Sequence, residues 1–501
     1  MLLNKVGFDN SRYIELQSEN IRERIQRFGG KLYLEFGGKI FDDYHASRVL
    51  PGFEPDTKIN MLTHLKDQAE IVFVINSGDI EKNKVRGDNG VTYDMEVLRL
   101  IDAFRSKGLF VSSVVITRYN SQPAADQFRE RLISLGMKVY KHYWIEGYPS
   151  DIPHIVSDEG FGKNDDIVTE RELVVITGPG SASGKMATCL SQLYHDNKKG
   201  IKAGYAKYET FPMWDLPIDH PLNLAYEAAT ADINDVNMID PFHLEAYGKT
   251  AVNYNRDIEI FPVLSSILDK ISVSPYRSPT DMGVNTAGRC ITDDAVVSYA
   301  AEQEIIRRYY AAKCAVKEGI GAEAPVFKLE MLMRQAGISV KDRKVVAPVM
   351  AAAAEKTVPV IGVELHDGRV ITGKSSPLMC ASAAMLLNSL KTLGNIDDSM
   401  HLISPAVIEP VREMKTKYLG NDSPRLFADE LLVALSVSAT TSPVADAAFK
   451  RLPELRGCEA HSSVILTSSD EYIFKRLGVN VTCEPQYQSS NLYQGESTGW
   501  K

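Results

Sequence analysis

The first 220 residues alternate between two hydrophobic periods along the chain. Short apolar or alternating runs, which are typical of strands, occur at Lys31–Phe36, Ile71–Asn76, Phe110–Thr117 and Glu172–Thr177. Between them, apolar residues recur every three or four positions, as on one face of a helix. Strands that alternate with helices of this length predict a doubly wound parallel sheet. We therefore expect residues 1–220 to form an α/β domain.

The rest of the chain has two different patterns. Residues 221–345 read as mainly helical, with the best helix over about 294–317. From residue 346 to 501 a second α/β pattern follows, with a hairpin expected around Asp367–Gly368, a strong two-residue turn signal. The sequence therefore predicts three domains, at 1–220, 221–345 and 346–501.

Composition narrows the functional classes. The chain has 501 residues, with 56 basic against 65 acidic side chains and a formal charge of -9. This balance argues against a broad surface for nucleic acid or for an anionic membrane. No apolar run reaches the ~18 residues of a membrane-spanning helix, and the six scattered cysteines show no CxxC pair. We expect a soluble cytoplasmic protein with reduced thiols.

The strongest chemical signal is a glycine-rich turn at residues 178–185, between a buried strand and a helix that starts near its end. Successive backbone N–H groups in such a turn, together with the positive end of the helix, form an anion site. The residues predicted to hold a phosphorylated cofactor or ligand here are Gly178, Gly180, Ser181, Ser183, Gly184 and Lys185. Glycines permit close backbone approach, serines add hydroxyl groups, and the lysine supplies a full charge.

The match to a P-loop is incomplete. Pro179 stands where the pattern GxxxxGK[ST] has its first glycine, and Met186 stands where it has a hydroxyl that holds magnesium. A thioether is a poor ligand for this hard ion, and Thr188 lies nearly a turn further on. Phosphate binding is thus favoured over nucleotide hydrolysis, and a magnesium cofactor is doubtful. The alternative is a tight strand-to-helix turn whose lysine is merely solvated.

Polar residues after the other strands should converge on this turn, because ligands bind beyond the carboxyl ends of parallel strands. Asp79 and Glu209 are candidate metal-binding or general-base carboxylates, with Asp88 as a further carboxylate. Arg118 and Arg86 are candidate clamps for an anion. Each of them also has the simpler explanation of a capping or solvated loop residue.

A polar loop at 278–290 is the second candidate region. Asp281 is a possible metal-binding or catalytic carboxylate, and Arg289 a possible phosphate or carboxylate ligand, in a loop expected to close over the turn. The alternative is a connection between domains whose polar groups cap helices. Cys290 has no partner histidine in the sequence, which favours a buried thiol.

The region around Cys380 looks like a cytidine deaminase without its metal ligands. Residues 367–373 and 376–385 resemble the hairpin and helix of that fold, and 404–412 resembles its second zinc motif. Cys380 occupies the first ligand position, but Ser382 replaces the proton-transferring glutamate, and Ala406 and Glu409 replace two cysteines. Zinc catalysis is therefore not expected, and we predict no metal site. The alternatives are a borrowed scaffold and a chance likeness.

Taken whole, the glycine-rich turn and the Ser278-Pro-Thr-Asp-Met-Gly-Val-Asn285 loop resemble an uncharacterised bacterial family, numbered 0371 and also described as domain of unknown function 1846. The likeness runs over the full chain. It implies a bacterial cytoplasmic protein with a multidomain fold, and it implies no activity.

Two functional hypotheses follow. The first is an enzyme that binds a phosphorylated small molecule or nucleotide on the first sheet and catalyses phosphoryl or ligase-type transfer. The second is a non-catalytic nucleotide sensor or scaffold, which Met186 favours. Both have a small phosphorylated ligand as partner, with neither nucleic acid nor membrane, and both leave a homo-oligomer open.

Overall fold

The computed structural model describes residues 5–86, 90–271, 273, 276–356 and 358–488. The chain divides into two compact units. We call residues 6–227 and 234–298 the N-terminal unit, and residues 228–233 with the described residues from 299 onward the C-terminal unit.

The N-terminal unit is built on a seven-stranded sheet in which every neighbouring pair is parallel. Its order is β4-β3-β2-β5-β1-β6-β9, and β7 and β8 form a separate antiparallel pair. The strands are β1 (Leu32–Phe36), β2 (Ala69–Asn76), β3 (Phe110–Tyr119), β4 (Lys138–Tyr143), β5 (Leu173–Thr177), β6 (Gly204–Tyr208), β7 (Asn237–Ile239), β8 (Val252–Tyr254) and β9 (Gly283–Val284).

Alternating side chains of this sheet enter two separate cores, one on each face. Leu32, Leu34 and Phe36 of β1 enter one core, and Tyr33 between them enters the other. Because strands of this sheet are buried on both faces, they appear in the sequence as continuous apolar runs.

Helices cover both faces. Apolar residues of α1, α3, α5 and α6 belong to the first core, and those of α8 and α11 belong to the second. The helices are α1 (Asn10–Arg27), α2 (Tyr44–Val49), α3 (Thr57–His64), α4 (Ser77–Glu81), α5 (Tyr93–Ser106), α6 (Pro123–Ser134), α7 (Ile152–Ile155), α8 (Lys185–Lys198), α9 (Pro221–Ala229), α10 (Pro241–Tyr247), α11 (Asn255–Lys270) and α12 (Pro279–Met282). The large parallel sheet and its α/β class, both expected from the sequence, are present.

The chain leaves the two central strands in opposite directions. From β1 the chain continues to β2, towards the β4 edge of the sheet. From β5 it continues through α8 to β6, towards the β9 edge. Ligand crevices form at the carboxyl ends of strands where the winding reverses in this way. The glycine-rich turn follows β5 and therefore lies at this reversal.

The C-terminal unit contains a four-stranded sheet in the order β11-β10-β12-β13. The expected hairpin is present, since β10 (Val360–Glu364) and β11 (Val370–Lys374) pair antiparallel on either side of Asp367–Gly368. The remaining elements are β12 (Glu459–Ser462), β13 (Asn480–Cys483), α13 (Asp294–Lys317), α14 (Glu323–Gln335), α15 (Val346–Lys356), α16 (Ala381–Leu393), α17 (Pro405–Glu413), α18 (Ala428–Ala439), α19 (Pro443–Phe449) and α20 (Ser468–Leu477). Apolar residues of α16, α18 and α19 pack with those of β10 and β12 in one core. Within the described part of the chain, no helix is long and apolar enough to cross a membrane.

Candidate functional site

The glycine-rich turn connects β5 directly to α8. Strand β5 ends at Thr177, and Gly184 caps the helix with a φ of +96°, in the left-handed region that favours glycine. Ala182 also has a positive φ, of 57°. The backbone therefore folds back on itself within a few residues.

Each glycine of the turn has a close neighbour in the protein itself. An added Cβ would lie 2.4 Å from the Val74 carbonyl oxygen at Gly178, 2.6 Å from the Tyr93 hydroxyl at Gly180 and 2.9 Å from Thr117 at Gly184. Real Cβ atoms do not approach other atoms so closely. Packing requires glycine at Gly178, which meets backbone, and at Gly184, which also has a positive φ, while a larger residue at Gly180 would have to displace the Tyr93 side chain. The glycines by themselves are therefore not evidence for a ligand.

The two serines of the turn differ in role. Ser183 is buried, and its hydroxyl donates to the Gly180 carbonyl oxygen at 3.0 Å, while Thr117 donates to the Ser183 carbonyl oxygen at 2.7 Å. These bonds hold the shape of the turn. Ser181 is exposed at the tip, where its hydroxyl faces solvent.

The backbone N–H groups of residues 180–187 have no hydrogen-bond acceptor in the part of the chain that the structure describes. The next one, of Thr188, is the first to bond within the helix, to the Gly184 carbonyl oxygen at 2.9 Å. Consecutive free donors at the positive end of a helix are the elements of an anion site.

Lys185 places a cation at the same turn. Its ammonium donates to the Gly180 carbonyl oxygen at 3.1 Å, and burial lowers the pKa of the Lys185 ammonium. It forms no ion pair with a carboxylate of the described residues. The negative charge of Glu35 acts on the ammonium through space, without an ion-pair contact. The partly buried cation can therefore still take an anion as its direct partner.

A cavity of about 240 Å³ lies beside the turn. It is lined by Lys185, by Arg118 near the end of β3, and by side chains from β1, β4 and the segment after β4. Other residues that line the cavity include Glu35, His142, Trp144, Ile145, Tyr148, Phe161, Asn164, Met186 and Thr188. The structure thus brings two of the predicted phosphate ligands, Lys185 and Arg118, to one cavity.

Arg118 is held in an unusual backbone conformation. Its φ is +53°, in the left-handed region that is uncommon for residues other than glycine. Its guanidinium lies 5.5 Å from the centre of the Trp144 ring and, like Lys185, has no carboxylate partner within the described ranges. Such strain concentrates at functional positions.

Sequence reasoning did not single out Glu35, which lines the same cavity. It lies near the end of β1, and its carboxylate accepts a hydrogen bond of 2.7 Å from the Tyr205 hydroxyl. The available signal was an acidic residue within an otherwise apolar strand. Trp144 and His142 were also missed, because nothing local in the sequence places β4 near the turn.

Glu209 lies at the end of β6, which β1 separates from β5. Its carboxylate is 2.8 Å from the Lys207 ammonium and accepts a hydrogen bond of 3.1 Å from Tyr254. Burial raises the pKa of Glu209 to about 7 in spite of Lys207. A carboxyl group with such a pKa is suited to proton transfer near neutral pH, but its contacts lie with Lys207, Tyr254 and Asp257 rather than with the turn.

Asp79 lies in α4 and pairs with Lys84 at 3.3 Å. The Lys84 ammonium is 4.8 Å from the centre of the Tyr93 ring, the same ring that packs on Gly180. Asp79 is therefore connected to the turn only through Lys84 and Tyr93, and it is not among the residues that line the cavity. Asp88, the other carboxylate considered there, lies outside the described residues.

Arg86 differs from the anion clamp that the sequence suggests. Its guanidinium donates to the Pro179 carbonyl oxygen at 3.1 Å and pairs with the buried Glu96 at 3.2 Å. It therefore fixes the turn from outside rather than facing a ligand.

The 278–290 segment is built into the sheet, which corrects the expectation of a closing loop. Gly283–Val284 pairs in parallel with Lys207–Tyr208 as β9, and the Gln17 amide donates to the Val284 carbonyl oxygen at 2.7 Å. A two-residue strand in polar surroundings gives no periodic signal. The segment is thus a fixed edge of the sheet.

The two candidates of this segment lie apart from the turn. The Asp281 carboxylate accepts hydrogen bonds from the Tyr247 hydroxyl at 2.8 Å and the Arg277 N–H at 3.1 Å. Arg289 is exposed in a short helical turn beside Cys290, whose carbonyl oxygen accepts from the Asp9 N–H. Neither side chain has a contact with residues 178–185 among the described interactions. Cys290 is buried, as its sequence context suggests.

The deaminase-like segment begins at Cys380 in the C-terminal unit. Cys380 caps α16, its sulfur 3.5 Å from the Ala383 N–H and 4.0 Å from an Asp470 oxygen. Ala406 and Glu409 lie on α17. No group of three or more metal-ligating side chains occurs anywhere in the described residues. The hairpin and helix behind the likeness are present, and the likeness to deaminases stays a prediction.

The fold and the site define an α/β protein whose glycine-rich turn lies at the winding reversal of a parallel sheet. Family models described as "Domain of unknown function DUF1846, N-terminal" and "Domain of unknown function DUF1846, C-terminal" match residues 6–337 and 341–493. The chain belongs to this family, as the resemblance of its motifs predicted.

Similar proteins come from streptococci. UPF0371 proteins of Streptococcus pyogenes serotype M5 (strain Manfredo) and Streptococcus equi subsp. equi are each 53% identical over 493 residues, and one of Streptococcus uberis is 54% identical. Each alignment covers 98% of this chain and 100% of the relative.

Proposed function

We propose that the chain binds a phosphorylated small molecule or a nucleotide at the glycine-rich turn. The observation that carries this proposal is the run of N–H groups at residues 180–187 without acceptors, next to the unpaired ammonium of Lys185. A phosphate oxygen accepts from such donors at no cost in rearrangement. Arg118 supplies a second positive charge in the same cavity.

The reaction we propose for this site is phosphoryl or ligase-type transfer. Glu35 supports it, because a carboxylate that shares a cavity with two cations can hold a metal ion or accept a proton. The free thiols of the described cysteines are compatible with a reducing, cytoplasmic setting.

Lys185→Ala should weaken binding of the phosphorylated ligand by roughly 1.5–3 kcal/mol, the range for hydrogen bonds to charged groups. A thermal-shift screen across nucleotides, coenzyme A and sugar phosphates identifies the ligand, and calorimetry then measures the dissociation constant. At 100 times this constant, the ligand stabilises the native state by about 2.7 kcal/mol.

Lys198→Ala is the matched control for this change, because Lys198 lies at the far end of the same helix and is 56% exposed. It should leave the dissociation constant unchanged. If no phosphorylated compound raises the melting temperature, or if Lys185→Ala leaves the shift as it was, the proposal is wrong.

A non-catalytic sensor is the second candidate function, and Met186 favours it. Its thioether packs against the core under α8 at the position where a P-loop has a magnesium-binding hydroxyl. Thr188 does not replace that hydroxyl simply, because it is buried with its oxygen 3.5 Å from the His142 ring.

Met186→Thr should make ligand binding respond to magnesium. The new hydroxyl offers this ion the oxygen ligand that it prefers, so nucleotide affinity in the variant should rise severalfold when magnesium replaces chelator. Met186→Leu, which keeps the packing, is the control. A strong magnesium dependence already present in the native protein would count against the sensor and would assign the metal to another oxygen, with Glu35, Asp79 or Glu209 as candidates.

A further inference from the structure

The cavity beside the turn is larger than a phosphate needs. On the scale by which a cavity of roughly 10–15 Å³ holds one water, the four oxygens of a phosphate need roughly 40–60 Å³. The cavity measures about 240 Å³ on the same scale. Most of its volume is therefore left for another part of the ligand.

One part of the cavity wall is apolar and largely aromatic. It is formed by Trp144, Ile145, Tyr148, Phe161 and Met186. These side chains offer few hydrogen-bond partners to hydroxyl groups, so the part of a ligand that lies against them is more favourably apolar than hydroxylated. The wall therefore favours an apolar group at the end of the ligand that reaches it, beyond any sugar that carries the phosphate.

The exposure of Trp144 favours a planar group in the ligand. It is 64% exposed, although it is the largest apolar side chain of the cavity. The guanidinium of Arg118 lies 5.5 Å from its ring centre and covers only part of it. A planar aromatic ring gains area and favourable quadrupole contacts by stacking on an indole face.

The polar groups of the cavity are mostly engaged within the protein. The Asn164 amide donates to the Ser191 hydroxyl at 3.0 Å and accepts the Tyr143 N–H at 2.7 Å. The His142 ring lies 3.2 Å from the Asp165 carbonyl oxygen. Few hydrogen-bonding groups are left to contact the edge of an aromatic ring in the ligand. We therefore expect stacking to be the main source of recognition.

We infer that the ligand of this site is a phosphate ester that carries a flat aromatic group, such as a nucleoside monophosphate. Its phosphate lies on the N–H groups of residues 180–187 between Lys185 and Arg118, and its ring lies against Trp144. This inference rests on the proposed function and adds the class of ligand to it.

Two matched pairs of compounds test the aromatic group on the full chain. Adenosine 5′-monophosphate should bind about tenfold more tightly than ribose 5-phosphate, and phenyl phosphate should likewise exceed n-butyl phosphate, because stacking of one ring accounts for such a difference. Both aromatic esters should quench tryptophan fluorescence. Dissociation constants from calorimetry give the comparison.

Variants at Trp144 locate the ring. Trp144→Ala should reduce adenosine 5′-monophosphate to the affinity of ribose 5-phosphate while leaving inorganic phosphate unchanged. Trp144→Phe should keep most of the affinity and lose the quenching, since phenylalanine still stacks. Trp144 is exposed, so neither change removes a buried side chain.

The outcomes separate this inference from the proposed function. Equal affinities within both pairs, or an unchanged affinity in Trp144→Ala, overturn the aromatic ligand and leave phosphate binding in place. Equal and tight binding of phenyl and n-butyl phosphate also overturns it, in favour of an aliphatic group. Failure of all four esters and of inorganic phosphate to bind overturns both proposals.

Discussion

Replacing Arg343 by alanine should lower the free energy of unfolding of the C-terminal unit by about 3–5 kcal/mol, the cost of breaking a buried ion pair. The Arg343 side chain is fully buried and pairs with Glu459 of β12. Its other N–H groups donate to the Ala460 and Asn480 carbonyl oxygens at 2.8 and 2.7 Å and to the Thr482 hydroxyl at 2.9 Å. One guanidinium thus holds β12 and β13 together.

The carboxylate left behind explains the size of this effect. Burial alone would raise the pKa of Glu459, but the Arg307 and Arg343 guanidinium groups together hold it below its usual value. Without Arg343, the charge of Glu459 keeps only Arg307 at 2.8 Å and the Asn480 amide at 3.0 Å. The Ala460 and Asn480 carbonyl oxygens each lose one donor, although Ala460 keeps the Thr482 hydroxyl at 3.2 Å, and these losses add to the cost.

Urea unfolding measures the loss, and hydrogen exchange of the β12 and β13 amides localises it. Lys450→Ala is the control in the same unit, because Lys450 is 70% exposed and its partner Asp446, 2.8 Å away, is 40% exposed. Such exposed pairs contribute about 0–1 kcal/mol. Arg343→Lys retains the charge but not the planar set of N–H donors, and its loss should fall between the two. Equal losses in Arg343→Ala and Lys450→Ala would refute this role.

The sequence predicts the parts of the fold that depend on local pattern. Strands β2 and β5 appear as apolar runs because both faces of the sheet are covered. Asp367–Gly368 marks the hairpin because few other residue pairs adopt the backbone dihedral angles of such a turn. Strand β9 has only two residues, one of them glycine, and pairs at the sheet edge through backbone atoms. No periodicity could reveal it.

The same distinction between local pattern and sheet order applies to the candidate site. The turn is visible because strand, glycines and Lys185 are contiguous, whereas Glu35, His142 and Trp144 reach the cavity only through the order of β1 and β4 in the sheet. The sequence also cannot tell a glycine required by packing from one required by a ligand. Gly178, where an added Cβ would lie 2.4 Å from the Val74 carbonyl oxygen, is required by packing. The unpaired N–H groups, not the glycines, are therefore the evidence for an anion.

Acidification should destabilise the N-terminal unit through His142, whose side chain is buried on β4. Burial lowers the pKa of the His142 ring to about 3, although the hydrogen bond to the Asp165 carbonyl oxygen acts in the opposite direction. The ring is accordingly neutral in the folded protein, and its Nε2 is assigned the proton because it lies 3.2 Å from that oxygen.

The direction of the effect follows from the two pKa values. In the unfolded chain the ring has its ordinary pKa of about 6.5, so below this pH the unfolded state binds a proton that the folded state excludes. The stabilisation by neutral His142 is complete above pH ~6.5 and is lost as the pH falls towards 3, by about 2 kcal/mol between pH 7 and pH 5.

His142→Gln, which keeps an amide donor and cannot titrate, should remove this part of the pH dependence. Urea unfolding of both proteins at pH 7, 6 and 5 measures it, with His64→Gln as the same change at an exposed position. Parallel curves for the native protein and His142→Gln would mean that the ring is hydrated or charged in the folded state and would refute this prediction.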